Sequence, residues 1–229
     1  MKKFNITYLI GIALIGLIIF EFVRMILHWN SMNIIDYIPE TLCYIGGIVF
    51  VLGRIFGFMP VGGDKRELFY EIVSFLFKYE YKKENYRVPE ELYKRIKADK
   101  RDEEALNLLA KDIVSFCDVD CTDLIVTNQS DLVEAAGIYS SESNEIRISL
   151  SNTRTADEVI AVLIHECMHY ILRQKRLWLE NTMKNEYLTD IACLFYGFDE
   201  YINKGYVLVG YLKRNEIRYI KELIREFDE

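Results

Sequence analysis

Residues 155–172 read TADEVIAVLIHECMHYIL and have the pattern of a central helix of the domain. Thr155 and Glu158 form the Thr-x-x-Glu pattern that caps the N-terminus of a helix, and an apolar run follows directly. Because the run is apolar over most of the helical surface, we expect a buried helix. Two histidines and a glutamate lie inside it, and burial penalises such groups unless a partner satisfies them.

The polar residues of this helix have the spacing of a metal site. His165 and His169 are four residues apart, so their imidazoles share one helical face and can converge on a single ion. Glu166 lies one step round the helix, where its carboxylate can act as a general base on a water whose pKa zinc lowers to about 7. The run from His165 to His169 is thus the HExxH pattern of zinc hydrolases, and it predicts one Zn²⁺ ion as cofactor.

A catalytic zinc site usually has three protein ligands and one open position, so a third ligand is needed. The only other histidine, His28, lies far away in an apolar N-terminal region. Glu186 and Asp190 follow the histidines and are again four residues apart, at the start of a second apolar helix. One carboxylate can complete the zinc shell, and the other can accept the free N–H of a histidine ligand.

HExxH followed on a later helix by ExxxD resembles the gluzincin metallopeptidases, which include the thermolysin-like enzymes and the membrane proteases of the HtpX and CAAX-protease type. The resemblance covers about residues 155–197. It implies that Glu186 is the third zinc ligand and that Asp190 supports a ligand through a hydrogen bond. The second helix reads ExxTD instead of the ExxAD typical of the membrane group, and the spacer is short. These departures leave the subfamily open and keep Asp190 as an alternative third ligand.

The remaining elements predict an α+β domain that is mostly helical and zincin-like. Residues 121–127 and 145–150 have the composition of short strands, and Gly137-Ile138-Tyr139 indicates a strand or turn between them. We expect 145–150 to be the edge strand that holds an extended substrate, as in zincin folds. Residues 64–116 are predicted to be helical throughout, with Pro89 in a first turn. Residues 211–227 are amphipathic and predict a closing helix.

Two apolar segments near the N-terminus predict a membrane anchor. The first, about residues 5–27, is long enough to span a bilayer, and the second is about residues 42–61. A signal peptide is the alternative for the first segment, but bulky Phe20 and Phe22 stand where a small-residue cleavage site would be. We therefore expect domain boundaries of 1–63 for a transmembrane hairpin and 64–229 for the zincin-like domain.

The charges that flank these segments predict the orientation. Lys2 and Lys3 precede the first segment and Lys65 and Arg66 follow the second, so the positive-inside rule predicts a multi-pass protein of the cell membrane with a cytoplasmic catalytic domain. If only the first segment spans, the same rule places the domain outside. The odd number of cysteines, five, suits a reducing compartment.

The net charge argues against nucleic acid as a partner. Residues 64–229 hold 24 basic and 32 acidic side chains, a formal charge of −8. An acidic domain repels a phosphate backbone. The expected partners are a peptide or protein substrate and the lipid bilayer.

The pattern as a whole predicts a membrane-anchored zinc peptidase, an endopeptidase in preference to an exopeptidase, with Glu166 as general base. Two alternatives remain at this level. One is a non-catalytic zinc-binding module, tethered to the membrane, that regulates or binds a partner. The other is a structural membrane protein in which the HExxH pattern is accidental. The sequence does not single out a residue that stabilises the oxyanion.

Overall fold

The computed structural model describes residues 61–83, 85–129, 135–149, 155–205 and 211–229. Its helices are α1 (Gly63–Tyr79), α2 (Glu90–Ala98), α3 (Glu103–Phe116), α4 (Ala156–Gln174), α5 (Thr182–Phe195), α6 (Asp199–Gly205) and α7 (Arg214–Asp228). Its strands are β1 (Ile125–Gln129), β2 (Gly137–Ser140) and β3 (Glu145–Ser149). Residues Val61–Glu229 group into one compact unit.

Helix α4 begins where the sequence predicts and lies at the centre of the unit. The Thr155 hydroxyl accepts a hydrogen bond from the Glu158 backbone at 3.2 Å, and the Glu158 carboxylate accepts one from the Thr155 backbone at 3.3 Å. This reciprocal pair is the predicted capping box. The helix is buried around most of its circumference because α3, α5, α6 and the strands β2 and β3 all pack against it.

The sheet has three strands in the order β1-β3-β2. Strand β3 pairs in parallel with β1 and antiparallel with β2. The predicted alternation in β3 is confirmed, since Ile146 and Ile148 are fully buried. The prediction that 145–150 forms an edge strand is wrong, because β3 pairs on both sides and β2 lies at the edge next to α4. Strand pairing is a long-range choice, which the alternation within one strand does not determine.

The prediction that residues 64–116 are helical throughout is wrong, because this segment forms three separate helices. Helix α1 ends at Tyr79, and α2 starts only after Pro89, which occupies its N-cap. Asp102 caps α3, where its carboxylate accepts a hydrogen bond from the Ala105 backbone at 3.0 Å. The closing helix is confirmed as α7, which packs on α1 and α5.

The predicted fold class included a transmembrane hairpin, and this part is corrected. No helix in the part of the chain that the structure describes is long and apolar enough to cross a bilayer. The two expected spans, about 5–27 and 42–61, fall outside the described residues except at Val61. The hairpin and the multi-pass membrane localisation are therefore not carried forward. The fold described is mostly helical with a small three-stranded sheet.

Candidate metal centre

The candidate site lies where α4 packs against α5. Helix α5 is capped by Asn181, whose side chain accepts a hydrogen bond from the Met183 backbone at 2.8 Å. From this start Glu186, Thr189 and Asp190 fall at intervals of three and four residues, so they share one face of α5. That face meets the face of α4 that carries the two histidines.

Three ligand atoms converge between the helices. The Nε2 atoms of His165 and His169 lie 3.1 Å apart, and each is 3.4 Å from Oε2 of Glu186. A tetrahedral zinc with bonds of about 2.0–2.1 Å requires ligand atoms about 3.3–3.4 Å apart. The three edges of this triangle therefore have the size that such an ion needs. The donor set of two imidazoles and one carboxylate also suits zinc.

The orientation of His165 is fixed by Asp190. Nδ1 of His165 lies 2.9 Å from Oδ1 of Asp190, and a carboxylate only accepts, so Nδ1 carries the proton. Oδ2 of Asp190 accepts the backbone N–H groups of Tyr211 at 3.0 Å and Leu212 at 3.2 Å. Asp190 is fully buried and holds the imidazole against the start of the last helical segment.

The orientation of His169 is fixed by Thr189. The Thr189 hydroxyl donates its one proton to the Asn185 carbonyl at 2.9 Å. Its oxygen lies 3.1 Å from Nδ1 of His169 and therefore accepts a hydrogen bond from that nitrogen. With both Nδ1 atoms acting as donors, the Nε2 atoms of the two histidines face each other and Glu186, and each carries a lone pair when its ring is neutral. Facing lone pairs repel each other, and a cation bound between them would remove this repulsion.

The pKa values of two residues also indicate that the site stabilises a positive charge. Burial opposes protonation of His165, but hydrogen bonds to Asp190 and Glu186 outweigh it and raise its pKa to about 10. Burial likewise favours neutral Glu186, yet hydrogen bonds from the two histidines lower its pKa to about 2. In the absence of metal, the cluster therefore holds a proton that a zinc ion would displace.

Glu166 lies beside the ligands and against the edge strand. It is 7% exposed, and burial raises its pKa. Gly137 makes this approach possible, because a Cβ there would lie 2.9 Å from the Glu166 side chain and 2.5 Å from Val162. The Tyr139 backbone also hydrogen-bonds the Glu166 carboxylate.

The outer edge of β2 has backbone groups that do not pair with β3. Ser149 donates to the Ala136 carbonyl at 2.8 Å, which makes these two residues a hydrogen-bonded pair across β2 and β3. In an antiparallel ladder such pairs alternate, so the backbone groups of Gly137 and Tyr139 point away from β3. The bond from Tyr139 to Glu166 is consistent with this direction.

Tyr211 covers the other side of His165. The two rings are stacked at a centroid distance of 6.3 Å with an interplanar angle of 25°. The tyrosine is 44% exposed. Burial raises the pKa of its phenol, and the negative charges of Glu186, Asp190 and Glu166 raise it further. The phenol is therefore protonated at neutral pH and available as a hydrogen-bond donor.

The structure brings all five residues named from the sequence into one site. His165, His169 and Glu186 form the ligand triangle, Glu166 lies beside them, and Asp190 contacts His165. His28 falls outside the described residues.

Sequence reasoning missed Thr189 and Tyr211. Thr189 appeared only as a departure from the ExxAD pattern, although its position three residues after Glu186 places it on the ligand-bearing face. No pattern in the sequence marks Tyr211 among the sixteen tyrosines.

Comparisons of this chain with protein-family models, with curated proteins and with solved structures found no significant match.

Proposed function

We propose that this protein is a zinc-dependent peptidase. The observation that carries the proposal is the triangle of His165, His169 and Glu186, whose edges of 3.1, 3.4 and 3.4 Å suit one tetrahedral ion. When bound, a zinc ion would acidify a water and polarise a carbonyl in the open position of the site. The resemblance to the gluzincin metallopeptidases agrees with this assignment.

Glu166 is the general base of the proposed reaction. Its raised pKa makes its carboxylate a stronger base than that of a solvated glutamate. It accepts a proton from the attacking water and passes that proton to the amine that leaves. A site that only binds zinc for structural reasons has no use for a buried carboxylate at this position.

The edge strand and Tyr211 have the remaining roles. An extended peptide can pair with the open edge of β2, which places a peptide bond beside Glu166. A strand-like pairing at that edge favours cleavage within a chain. Tyr211 stacks on His165, and its protonated phenol is our candidate for the donor that stabilises the developing oxyanion.

The test compares Glu166→Gln with the wild-type protein after both are loaded with zinc. We expect Glu166→Gln to retain one equivalent of zinc and to lose at least about 100-fold in the rate of cleavage of a mixed peptide library. The control is Glu226→Gln, which changes an exposed glutamate of α7 and should leave zinc content and cleavage unchanged.

Each other outcome has a definite meaning. Undiminished cleavage by Glu166→Gln would remove Glu166 from its role. Stoichiometric zinc without cleavage of any peptide by the wild-type protein would instead support the non-catalytic zinc-binding module. Absence of zinc from well-folded protein would contradict both functions.

A further inference from the structure

A cavity of about 560 Å³ opens directly beside the candidate metal centre. His169 and Thr189 form the wall that it shares with the site, and buried Leu172 and Leu177 contribute apolar surface. Trp178, 62% exposed, stands at its side. Its volume falls within the range of about 300–1,000 Å³ that is typical of ligand sites.

Two arginines give this cavity its charge. Arg173 lies four residues after His169 on α4, so both side chains share one face of the helix. Arg176 follows the end of α4 and lines the same cavity. The described lining residues include no carboxylate. Within the described chain neither guanidinium forms an ion pair, although the domain as a whole is acidic.

A second cavity also has basic lining residues, but there they are accompanied by acidic ones. It has about 610 Å³ and is lined by basic residues of α7 and of the segment after α1. There Lys82 pairs with Asp228 at 2.6 Å, and Lys221 pairs with Asp199. Its lining also includes acidic residues, so much of its positive charge is already neutralised.

The backbone of Arg176 gives an independent reason to assign a role to its side chain. Its φ is 58°, in the left-handed region where a helix usually ends on glycine. The Arg176 N–H bonds the Arg173 carbonyl at 3.0 Å, and Leu177 N–H bonds the Leu172 carbonyl at 2.8 Å. A glycine would adopt this helix-ending turn with less strain. An arginine at this position therefore carries a cost to the fold.

Arg173 also connects the cavity to the edge strand. Burial raises the pKa of Tyr139, and the positive charge of Arg173 opposes that rise, so the guanidinium acts on the hydroxyl of a β2 residue. Tyr139 is the residue whose backbone bonds Glu166. Tyr139 also lines the cavity, so a peptide that pairs with β2 would lie close to both arginines.

We propose that this arginine cavity, defined by His169, Arg173, Arg176 and Trp178, binds a carboxylate of the peptide substrate close to the bond that is cleaved. The inference rests on the proposed function and names its substrate class. Guanidinium groups bind carboxylates through two parallel hydrogen bonds, and the apolar floor accommodates the methylenes of a glutamate. The carboxylate comes either from an acidic side chain or from the C-terminus of the substrate.

The test measures binding, so that it does not depend on turnover. Trp178 fluorescence reports the Kd of three peptides on the full-length Glu166→Gln protein, with and without zinc, in a Trp29→Phe background that leaves Trp178 as the single tryptophan. The peptides are a C-terminally amidated one with a central glutamate, the same peptide with glutamine, and the glutamine peptide with a free C-terminus. We expect at least one carboxylate peptide to bind about tenfold more tightly than the amidated glutamine peptide. Which one does so identifies the source of the carboxylate.

Substitutions distinguish the loss of the carboxylate site from a general loss of the fold. Arg173→Gln and Arg176→Gln should each abolish most of the preference, whereas Arg87→Gln, an exposed arginine elsewhere, should retain it. Arg176→Gly should lose the preference with an unchanged or raised melting temperature, because glycine relieves the left-handed backbone. The double variant Arg173→Glu, Arg176→Glu should instead prefer a peptide with a central lysine.

The outcomes distinguish this inference from the peptidase itself. Equal Kd values for all three peptides, or no binding at millimolar concentration, would overturn the arginine cavity as a carboxylate site. A preference that survives both glutamine substitutions would do the same. Carboxylate-selective binding without zinc or cleavage would support the cavity and contradict the peptidase. Cleavage without any charge preference would support the peptidase and contradict the cavity.

Discussion

The two histidines of the candidate metal centre are held in different ways. His165 donates to Asp190, a fully buried carboxylate that also accepts two backbone N–H groups. His169 donates to the neutral hydroxyl of Thr189. The side chain of His165 is 11% exposed, and that of His169 is 23% exposed. One end of the centre is therefore closed and charged, and the other is open and neutral.

Because their surroundings differ, Asp190 and Thr189 should contribute differently to the stability of the fold. A buried carboxylate that links His165 to the backbone of residues 211 and 212 contributes to the stability of the fold, and it would also orient His165 toward a bound metal. A hydroxyl that orients His169 within its own helix pair contributes little to the fold beyond that contact. The open end also borders the arginine cavity, so the proposed substrate would reach the site at His169.

Asp190→Asn should have the largest effect of the changes that compare the two ends. The amide cannot accept all the hydrogen bonds of the carboxylate, and it leaves a buried histidine without its charged partner. We expect the free energy of unfolding to fall by about 3 kcal/mol and zinc affinity to fall about 10–100-fold. Urea unfolding and competition with a chelating dye measure the two quantities.

Glu226→Gln is the matched control, since it converts an exposed carboxylate to an amide. It should change neither quantity. Zinc affinity that falls without any loss of stability would contradict the double role of Asp190. Complete loss of zinc in Asp190→Ala, with zinc retained in Glu186→Ala, would show that Asp190 and not Glu186 is the third ligand.

The charged end should also make the metal-free protein sensitive to pH. The pKa of His165 is about 10 in the fold and 6.5 in the unfolded chain. Its protonated form therefore stabilises the fold fully below pH 6.5, and this contribution is lost as the pH rises toward 10. We expect the free energy of unfolding to decrease by about 1 kcal/mol per pH unit between pH 6.5 and 8.5, measured in urea with chelator present.

Asp190→Asn is the informative comparison for this slope. Because it removes a main cause of the raised pKa, the variant should show a shallower dependence over the same interval. Parallel slopes for the two proteins would mean that groups other than His165 determine the pH dependence.

Local patterns in the sequence were sufficient for the core of the site. The spacing of His165 and His169 depends only on helical geometry, and the capping box at Thr155 depends on residues three apart. Both features lie within one helix, so no knowledge of the rest of the fold is needed. The pairing of Glu186 with the histidines required a further assumption, that two apolar helices pack together, and the geometry agrees with it.

Features that depend on long-range packing could not be predicted. Strand β3 has the alternation of a half-buried strand, but nothing within it shows that β1 and β2 flank it. Thr189 becomes important only once the rotamer of His169 is known. The position of Arg176 depends on the turn that ends α4. No sequence pattern indicates that an arginine there has a positive φ.

Thr189→Val should have the smallest effect and is the sharpest test of the open end. Valine has nearly the same shape as threonine but leaves Nδ1 of His169 without its acceptor. We expect zinc affinity to fall about tenfold, at the low end of such effects because the partner is neutral. Thr189→Ser retains the hydroxyl and should bind zinc within about twofold of the wild-type protein.

A structural role alone would lower the melting temperature of the metal-free protein in both variants without this difference in affinity. Wild-type affinity in Thr189→Val would show that the ring of His169 is held by packing, and the contrast between the two ends would then reduce to a difference in exposure.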